Sequence, residues 1–245
     1  MDYTSLYTLQ GLELACWPRI RPCTGAWILE ELGVYAVCTR GRGGLPRGCL
    51  GKGHSSLVLA VLAWGVGEAA AKIIRPGGRR ESLESEARLL YEAWRAGAAP
   101  RVYRWTPRGI LMELLRGPSL GFLVEGCMLT EEAVIEAMEA AYALDTAGIL
   151  HYEIHRPWRN IFYRDSSAVI IDFESAGPGC GNVPRLAQAL LSRTPGGLGI
   201  VKSHGRVLGL YKKRCPDREL MEEITGVVVS ALREGDCPSR RVQHL

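Results

Sequence analysis

Lysine is scarce in this 245-residue chain: five residues against 25 arginines, so nearly all positive charge is guanidinium. Side-chain amides are scarcer still, with two Asn and three Gln. So few amides fit a heat-adapted protein, although the lysine shortage departs from the usual hyperthermophile trend. No CxxC pair occurs among the eight cysteines (16, 23, 38, 49, 127, 180, 215 and 237), and no Cys/His spacing resembles a zinc site. The cysteines are therefore expected mainly as small buried hydrophobes, with disulfides of a heat-adapted intracellular protein as their other use. The opening Met-Asp-Tyr-Thr-Ser is no signal peptide, and the longest apolar run, residues 57–71, is broken by Gly65, Gly67 and Glu68. That run is too short for a membrane span. The expectation is a cytoplasmic protein with no membrane partner. A net charge of +4 is too weak alone to announce a nucleic-acid binder. With 47% hydrophobic residues, a sizeable core rather than general disorder is expected. There is no internal repeat and no low-complexity tract.

Periodicity divides the chain by character. Residues 1–43 read as an N-terminal extension with a short helix over 26–32 and a strand over 33–38. Residues 44–115 read as a strand-rich lobe. There, apolar strands at 57–64 and 69–74 form a hairpin about the Gly65–Glu68 turn, a helix runs over 81–96, and short strands occupy 102–105 and 109–115. Residues 116–245 read as a reduced helical lobe. Thr130 caps a helix to about Thr146, two short strands at 161–163 and 168–171 flank a turn, and helices follow at 183–191 and 219–232. The class expected is α+β, in two lobes.

Several residues then fall in an order that chemistry explains. Gly51, Gly53 and Ser56 stand at the spacing of a Gly-rich phosphate-cradling loop, and Val58 completes it. A strand follows where a dinucleotide site needs a helix, and Lys52 precedes Gly53, which excludes the P-loop. A Gly-rich turn between strands is the plainer alternative. Lys72 lies inside an apolar strand of a chain that otherwise prefers arginine. A compact ammonium aimed at phosphate oxygens is a reason for it, and a strand-end lysine reaching solvent is the other. Of Glu81, Glu84 and Glu86 on the following helix, Glu86 is expected to pair with Lys72. Met112, Glu113 and Leu115 mark a strand running into a loop, suited to meeting adenine through backbone groups or to being an ordinary edge strand. Further on, His151, Glu153 and Asn160 precede the hairpin, and Asp172 follows it in Ile171-Asp172-Phe173-Glu174. Protein kinases place a lysine strand, a catalytic H-x-D loop, an Asn metal ligand and a D-F-G aspartate in this order. Asn160 and Asp172 supply the oxygen ligands that Mg²⁺ prefers.

The chain resembles an archaeal family of predicted Ser/Thr protein kinases, distant relatives of the RIO kinases and of the small kinase of the KEOPS complex. The likeness rests on Leu50-Gly51-Lys52-Gly53-His54, Ala71-Lys72 with Arg80 and Glu86-Ala87, Ala99-Pro100-Arg101-Val102 and Met112-Glu113. It continues through His151-x-Glu153-Ile154-x-Arg156-Pro157, Ile171-Asp172-Phe173-Glu174-Ser175-Ala176 and Asn182-Val183, and covers roughly residues 45–190. The resemblance implies a protein-kinase-like fold with a β-rich N-lobe and a reduced helical C-lobe. It implies ATP with Mg²⁺ or Mn²⁺, Lys72, Glu153 and Asp172 as catalytic groups, and a protein hydroxyl as acceptor, including the chain's own.

The pattern also departs from that of larger kinases. Glu153 replaces the usual Asp, and seven positions rather than about five separate it from Asn160, which leaves His155 as an alternative base. No A-P-E element follows Asp172, and 73 residues remain after it, too few for a large peptide-binding platform. Aminoglycoside and choline phosphotransferases share the same grammar, but Arg156, Arg159 and Arg164 disfavour a cationic small substrate. A nucleotide-binding scaffold or ATPase on ribosomal or tRNA-modifying machinery is the further alternative, with basic stretches at 40–47 and 75–80 suited to phosphate backbones.

Overall fold

The computed structural model describes residues 2–15, 24–39, 49–52, 55–75, 80–194 and 196–233. Gly53, His54, the basic stretch over 40–48 and residues 76–79 lie outside them. The architecture is α+β, with an N-terminal antiparallel sheet followed by a largely helical C-terminal region. The chain divides into two compact units, Met1–Arg88 with Pro100–Leu114, and Leu89–Ala99 with Leu115–Leu245.

The strands of the first unit are β1 (Tyr3–Ser5), β2 (Val34–Cys38), β3 (Cys49–Lys52), β4 (Ser56–Ala63), β5 (Gly67–Ile74), β6 (Val102–Thr106) and β7 (Gly109–Met112). Its helices are α1 (Leu9–Ala15) and α2 (Gly25–Glu31), and α3 (Glu84–Arg95) begins here. The sheet order is β1-β2-β4-β5-β7-β6, with β3 also paired to β4. Residues within the 1–43 segment thus supply two strands of this sheet, β2 joining β4 directly.

Strand alternation decides the faces. Leu57, Leu59 and Val61 of β4 stand opposite Ile73, Ala71 and Ala69 of β5. They are buried in one apolar cluster with Leu14 of α1 and with Ile28, Leu29 and Leu32 from α2 and its C-cap. Each such side chain withdrawn from water contributes roughly 1.5–3 kcal/mol. The helix packs so closely on β7 that a Cβ at Gly109 would lie 2.7 Å from Ile28 and 2.8 Å from Leu32. The even-numbered residues of β4 and β5 face the other way, and Lys72 is among them.

Some elements are shorter than their patterns suggest. The third helix starts at Glu84, because the Ser82 hydroxyl accepts the Glu84 N–H at 3.1 Å and the Leu83 N–H donates to the Pro107 carbonyl at 2.7 Å. The last strand ends at Met112, where its pairing with both β5 and β6 ends.

The second unit contains α4 (Leu120–Glu125), α5 (Glu131–Thr146), β8 (Ile149–Leu150), α6 (Pro157–Asn160), β9 (Ile161–Arg164), β10 (Ser167–Ile170) and β11 (Gly177–Pro178). It closes with α7 (Asn182–Leu191), α8 (Gly197–Ser203), α9 (Gly205–Arg214) and α10 (Arg218–Arg233). Thr130 caps α5 by accepting the Ala133 N–H at 3.2 Å. The helix buries Val134, Ala137, Met138, Ala141 and Leu144 on one stripe. Against that stripe pack α7, α10 and β10. Strands β9 and β10 form the hairpin expected from the two short apolar runs. No helix among the described residues is long and apolar enough to cross a membrane.

A disulfide joins Cys180, just before α7, to Cys215, just after α9, across 35 positions. Closing a loop of that length in the unfolded chain accounts for roughly 3–4 kcal/mol. Cys180→Ser is therefore expected to lower unfolding free energy by about that amount in non-reducing guanidinium titrations. Reducing agent should cost the wild type more stability than the variant, in which Cys127 remains disulfide-bonded.

Candidate functional site

In the first unit one row of paired residues crosses the sheet: Gly51 on β3, Val58 on β4, Lys72 on β5 and Ile110 on β7. Paired residues point to the same face, so Ser56 and Met112, partners of Ile74 and Ala70, lie on it too. Ser56, Val58, Lys72 and Met112, chosen from sequence for nucleotide binding, therefore share one surface. Gly51 sits within a strand rather than a free loop, held there by its pairing with Val58.

Lys72 is buried, and its ammonium donates to Glu86 Oε1 at 2.5 Å. Arg80 donates to the other oxygen of the same carboxylate at 2.8 Å. Glu86 is itself buried, whereas Glu84 turns outward to Arg88 at 2.7 Å. Glu86 is thus the helix glutamate that reaches Lys72. Two cations on one buried carboxylate fix the lysine's direction, and removing one partner of such a pair typically costs about 3–5 kcal/mol. Glu113 is committed to the β6 side, where its N–H donates to the Arg101 carbonyl at 2.8 Å and its carboxylate accepts the Arg101 N–H at 3.0 Å. Leu115 is half-buried and belongs to the second unit.

In the second unit, residues 151–156 form overlapping turns. The Ile154 N–H donates to the His151 carbonyl at 3.1 Å and the Arg156 N–H to the Glu153 carbonyl at 2.9 Å. Glu153 is half-buried, while His155 is exposed and donates from Nδ1 to its own loop, at the Tyr152 carbonyl, at 2.9 Å. The buried Asn160 ends α6, and its carbonyl accepts the Ile171 N–H at 2.8 Å. That bond brings Asn160 beside Asp172 at neighbouring strand ends. An amide oxygen and a carboxylate are the hard donors a magnesium ion takes, so this pair fits such an ion.

Asp172 adopts φ 67°, ψ 67°, a left-handed conformation that costs a residue with a Cβ roughly 1–3 kcal/mol. His151 supplies the opposing hold. Its Nε2–H donates to the carbonyls of Asp172 at 2.9 Å and Ile171 at 3.1 Å. Both neighbours are acceptors, so Nε2 carries the hydrogen, and Nδ1 lies buried without a partner among the described residues. Phe173 meets the ring edge-on, 5.1 Å between centroids.

Behind this hold stands a group that sequence reasoning missed. Asp145 is buried in α5, and its Oδ1 accepts the N–H of Gly181 at 2.7 Å and of Asn182 at 2.8 Å, with the Asn182 amide at 2.8 Å. Its Oδ2 accepts the Val183 N–H at 3.1 Å and the Tyr211 hydroxyl at 2.9 Å. Burial and this carboxylate hold the Tyr211 phenol well above its ordinary range. Asn182 passes the constraint on, accepting the His151 N–H at 2.9 Å and donating to the Ile149 carbonyl at 2.7 Å. The available signal was a lone carboxylate on the apolar stripe of α5, one turn after Ala141. Among the described residues, the cluster of His, Cys, Asp and Glu close enough to hold a metal is Asp145, Cys180 and Cys215. The disulfide and the five hydrogen bonds occupy those atoms, so the cluster is structural.

No protein-family model matches the chain, and no curated protein is detectably similar to it in sequence.

Burial pushes the His151 imidazole down, against the opposing pull of the Ile171 and Asp172 carbonyls and the Asp172 and Glu153 carboxylates. As pH falls below about 6.5 the unfolded chain binds this proton first. The stability His151 contributes is present above that value and is lost as pH drops toward the lowered folded-state pKa. Urea midpoints of the wild type should therefore decline more steeply between about pH 6.5 and 5 than those of His151→Gln, which keeps a donor but does not titrate. Parallel profiles would show that His151 is not the titrating group.

Proposed function

We propose that this protein is an atypical protein-kinase-like phosphotransferase, with two lobes of the kind the resemblance to RIO-related kinases implies. It moves the γ-phosphoryl group of ATP to a Ser or Thr hydroxyl on a protein, including its own. The observation that carries the reading is the buried Lys72–Glu86 pair. An ammonium placed on an apolar strand and aimed by a helix carboxylate is costly in water-free surroundings, and phosphate binding gives a reason to keep it.

The residue roles follow from their chemistry. Lys72 presents a compact positive charge to phosphate oxygens, and Glu86, braced by Arg80, keeps it from turning away. Ser56, Val58 and Met112 offer a surface beside it, to which Gly51 on β3 adds no side chain. Asn160 and Asp172 would hold a divalent cation, Mg²⁺ or Mn²⁺, which neutralises phosphate charge during transfer. The left-handed turn at Asp172, tied down through His151, fixes that carboxylate's direction. Glu153 takes the proton of the acceptor hydroxyl. The acceptor oxygen bonds to the γ-phosphorus, the bond to the β–γ bridging oxygen breaks, and ADP leaves with that electron pair.

ATP with Mg²⁺ should raise the melting temperature, by the equivalent of about 2.7 kcal/mol at a hundredfold excess over Kd. Asp172→Ala should remove the metal-dependent part of that shift. Equal shifts in wild type and Asp172→Ala would take Asp172 out of the site. With γ-labelled ATP and a protein panel, Glu153→Gln should lose roughly 10²–10⁴-fold in transfer while keeping ATP affinity. The exposed His155, replaced by Ala, should lose less. Full activity in Glu153→Gln with none in His155→Ala would reassign the base. ATP binding with no transfer to any acceptor would favour the scaffold.

A further inference from the structure

Between Glu174 and Asp217 the chain carries no Asp or Glu, yet it carries seven Arg and Lys residues. This span contains α7, α8 and α9, which pack against one another in the second unit. Lys202 lies in the last turn of α8, and Arg206, Lys212 and Lys213 lie on α9, all exposed. Val207, Leu208 and Tyr211 form the buried side of α9, so Arg206 and Lys213, nearly two turns apart, share its outward side. No described residue forms an ion pair with Lys202, Arg206, Lys212 or Lys213; of the span's cations, Arg214 does reach a carboxylate, Asp217, at 2.8 Å.

The neighbouring helices of the same unit follow the opposite rule. Arg218 bonds both Glu139 and Glu222, and Arg233 pairs with Glu131. Cations are neutralised where α5 meets α10 and left open over α8 and α9.

Two aromatic rings lie against arginines of the same span. The Arg185 guanidinium lies over the Tyr152 ring at 6.0 Å, and Arg193 over Trp158 at 4.8 Å. Tyr152 is 46% exposed, so its ring is open to a further partner. Unpaired cations together with an exposed ring are what single-stranded nucleic acid requires, charge for the backbone and a π-face for a base.

We propose that the α7–α9 face is a docking surface for single-stranded nucleic acid, with Lys202, Arg206, Lys212 and Lys213 on phosphates and Tyr152 stacking a base. This stands on observations separate from those behind phosphotransfer, and its test needs no ATP. Fluorescence anisotropy of a labelled RNA of about a dozen nucleotides should show saturable binding at about 50 mM salt that weakens linearly on a log–log plot as salt rises. Arg206→Gln/Lys213→Gln should weaken binding roughly 25-fold at about 0.1 M salt and reduce the slope by about 1.4. Lys202→Gln/Lys212→Gln should do the same independently. Tyr152→Ala should lose roughly 5- to 150-fold with the slope unchanged. All these positions are exposed, and a thermal melt verifies that each variant folds. No saturable binding, or binding that neither double variant alters, overturns the proposal. So does capture of phosphatidylserine vesicles with equal salt dependence while Tyr152→Ala leaves RNA affinity untouched, which would make the face a membrane contact.

Discussion

The two oxygens of the Asp145 carboxylate take five hydrogen bonds from four residues in the interior of the second unit. Burying a carboxylate is costly unless its lone pairs are met, and here donors rather than a counter-ion meet them. Three of the donors are the N–H groups of Gly181, Asn182 and Val183, at the start of α7. A helix leaves such groups without partners in its own backbone, and Gly181 has no side chain to cap them. Asp145 caps α7 from another helix, and the positive end of the helix dipole favours its charge in return. The requirement is mutual: α7 cannot start there without Asp145, and Asp145 cannot stay buried without α7.

From that joint the constraint runs toward Asp172. Asn182 hands it to the backbone of Ile149 and His151, and His151 hands it to the carbonyls of Ile171 and Asp172. Asp172 is held in a strained conformation by a histidine that is held by an asparagine that is held by an aspartate. Asp145, Asn182 and His151 are buried, which makes the bonds among them electrostatically stronger than in water and a missing one more damaging. The first unit solves the same problem differently. Lys72 is aimed by direct charge pairing on Glu86, with a second cation on the far oxygen.

What the sequence made legible was periodic. The β4–β5 hairpin, the Thr130-capped α5, the β9–β10 hairpin and the helices α7 and α10 all announced themselves by apolar spacing or a cap. Helices α8 and α9 did not, because Gly197, Gly199, Gly205 and Gly209 weaken any helical signal there and the helices form through packing on their neighbours. The grouping of Ser56, Val58, Lys72 and Met112 on one face needed the strand register as well as the residues. Asp145 was hidden for a different reason. Its partners are 36 to 38 and 66 positions away, so no local motif contains it. His151 was visible as part of a motif, but its task of bracing a backbone turn depends on which nitrogen meets which carbonyl.

The Cys180–Cys215 bond has a topological result beyond its contribution to stability. It makes the polypeptide from α7 through α9 into a covalent ring fastened at both ends to the Asp145 joint, since Gly181 follows one cysteine and Tyr211 lies one helical turn before the other. A protease that cuts the backbone anywhere inside that ring opens it without releasing either half. The nicked protein would travel as one species until a reductant reached it. In an environment that keeps the bond oxidised, the helices bearing the unpaired cations can be clipped and still not be shed.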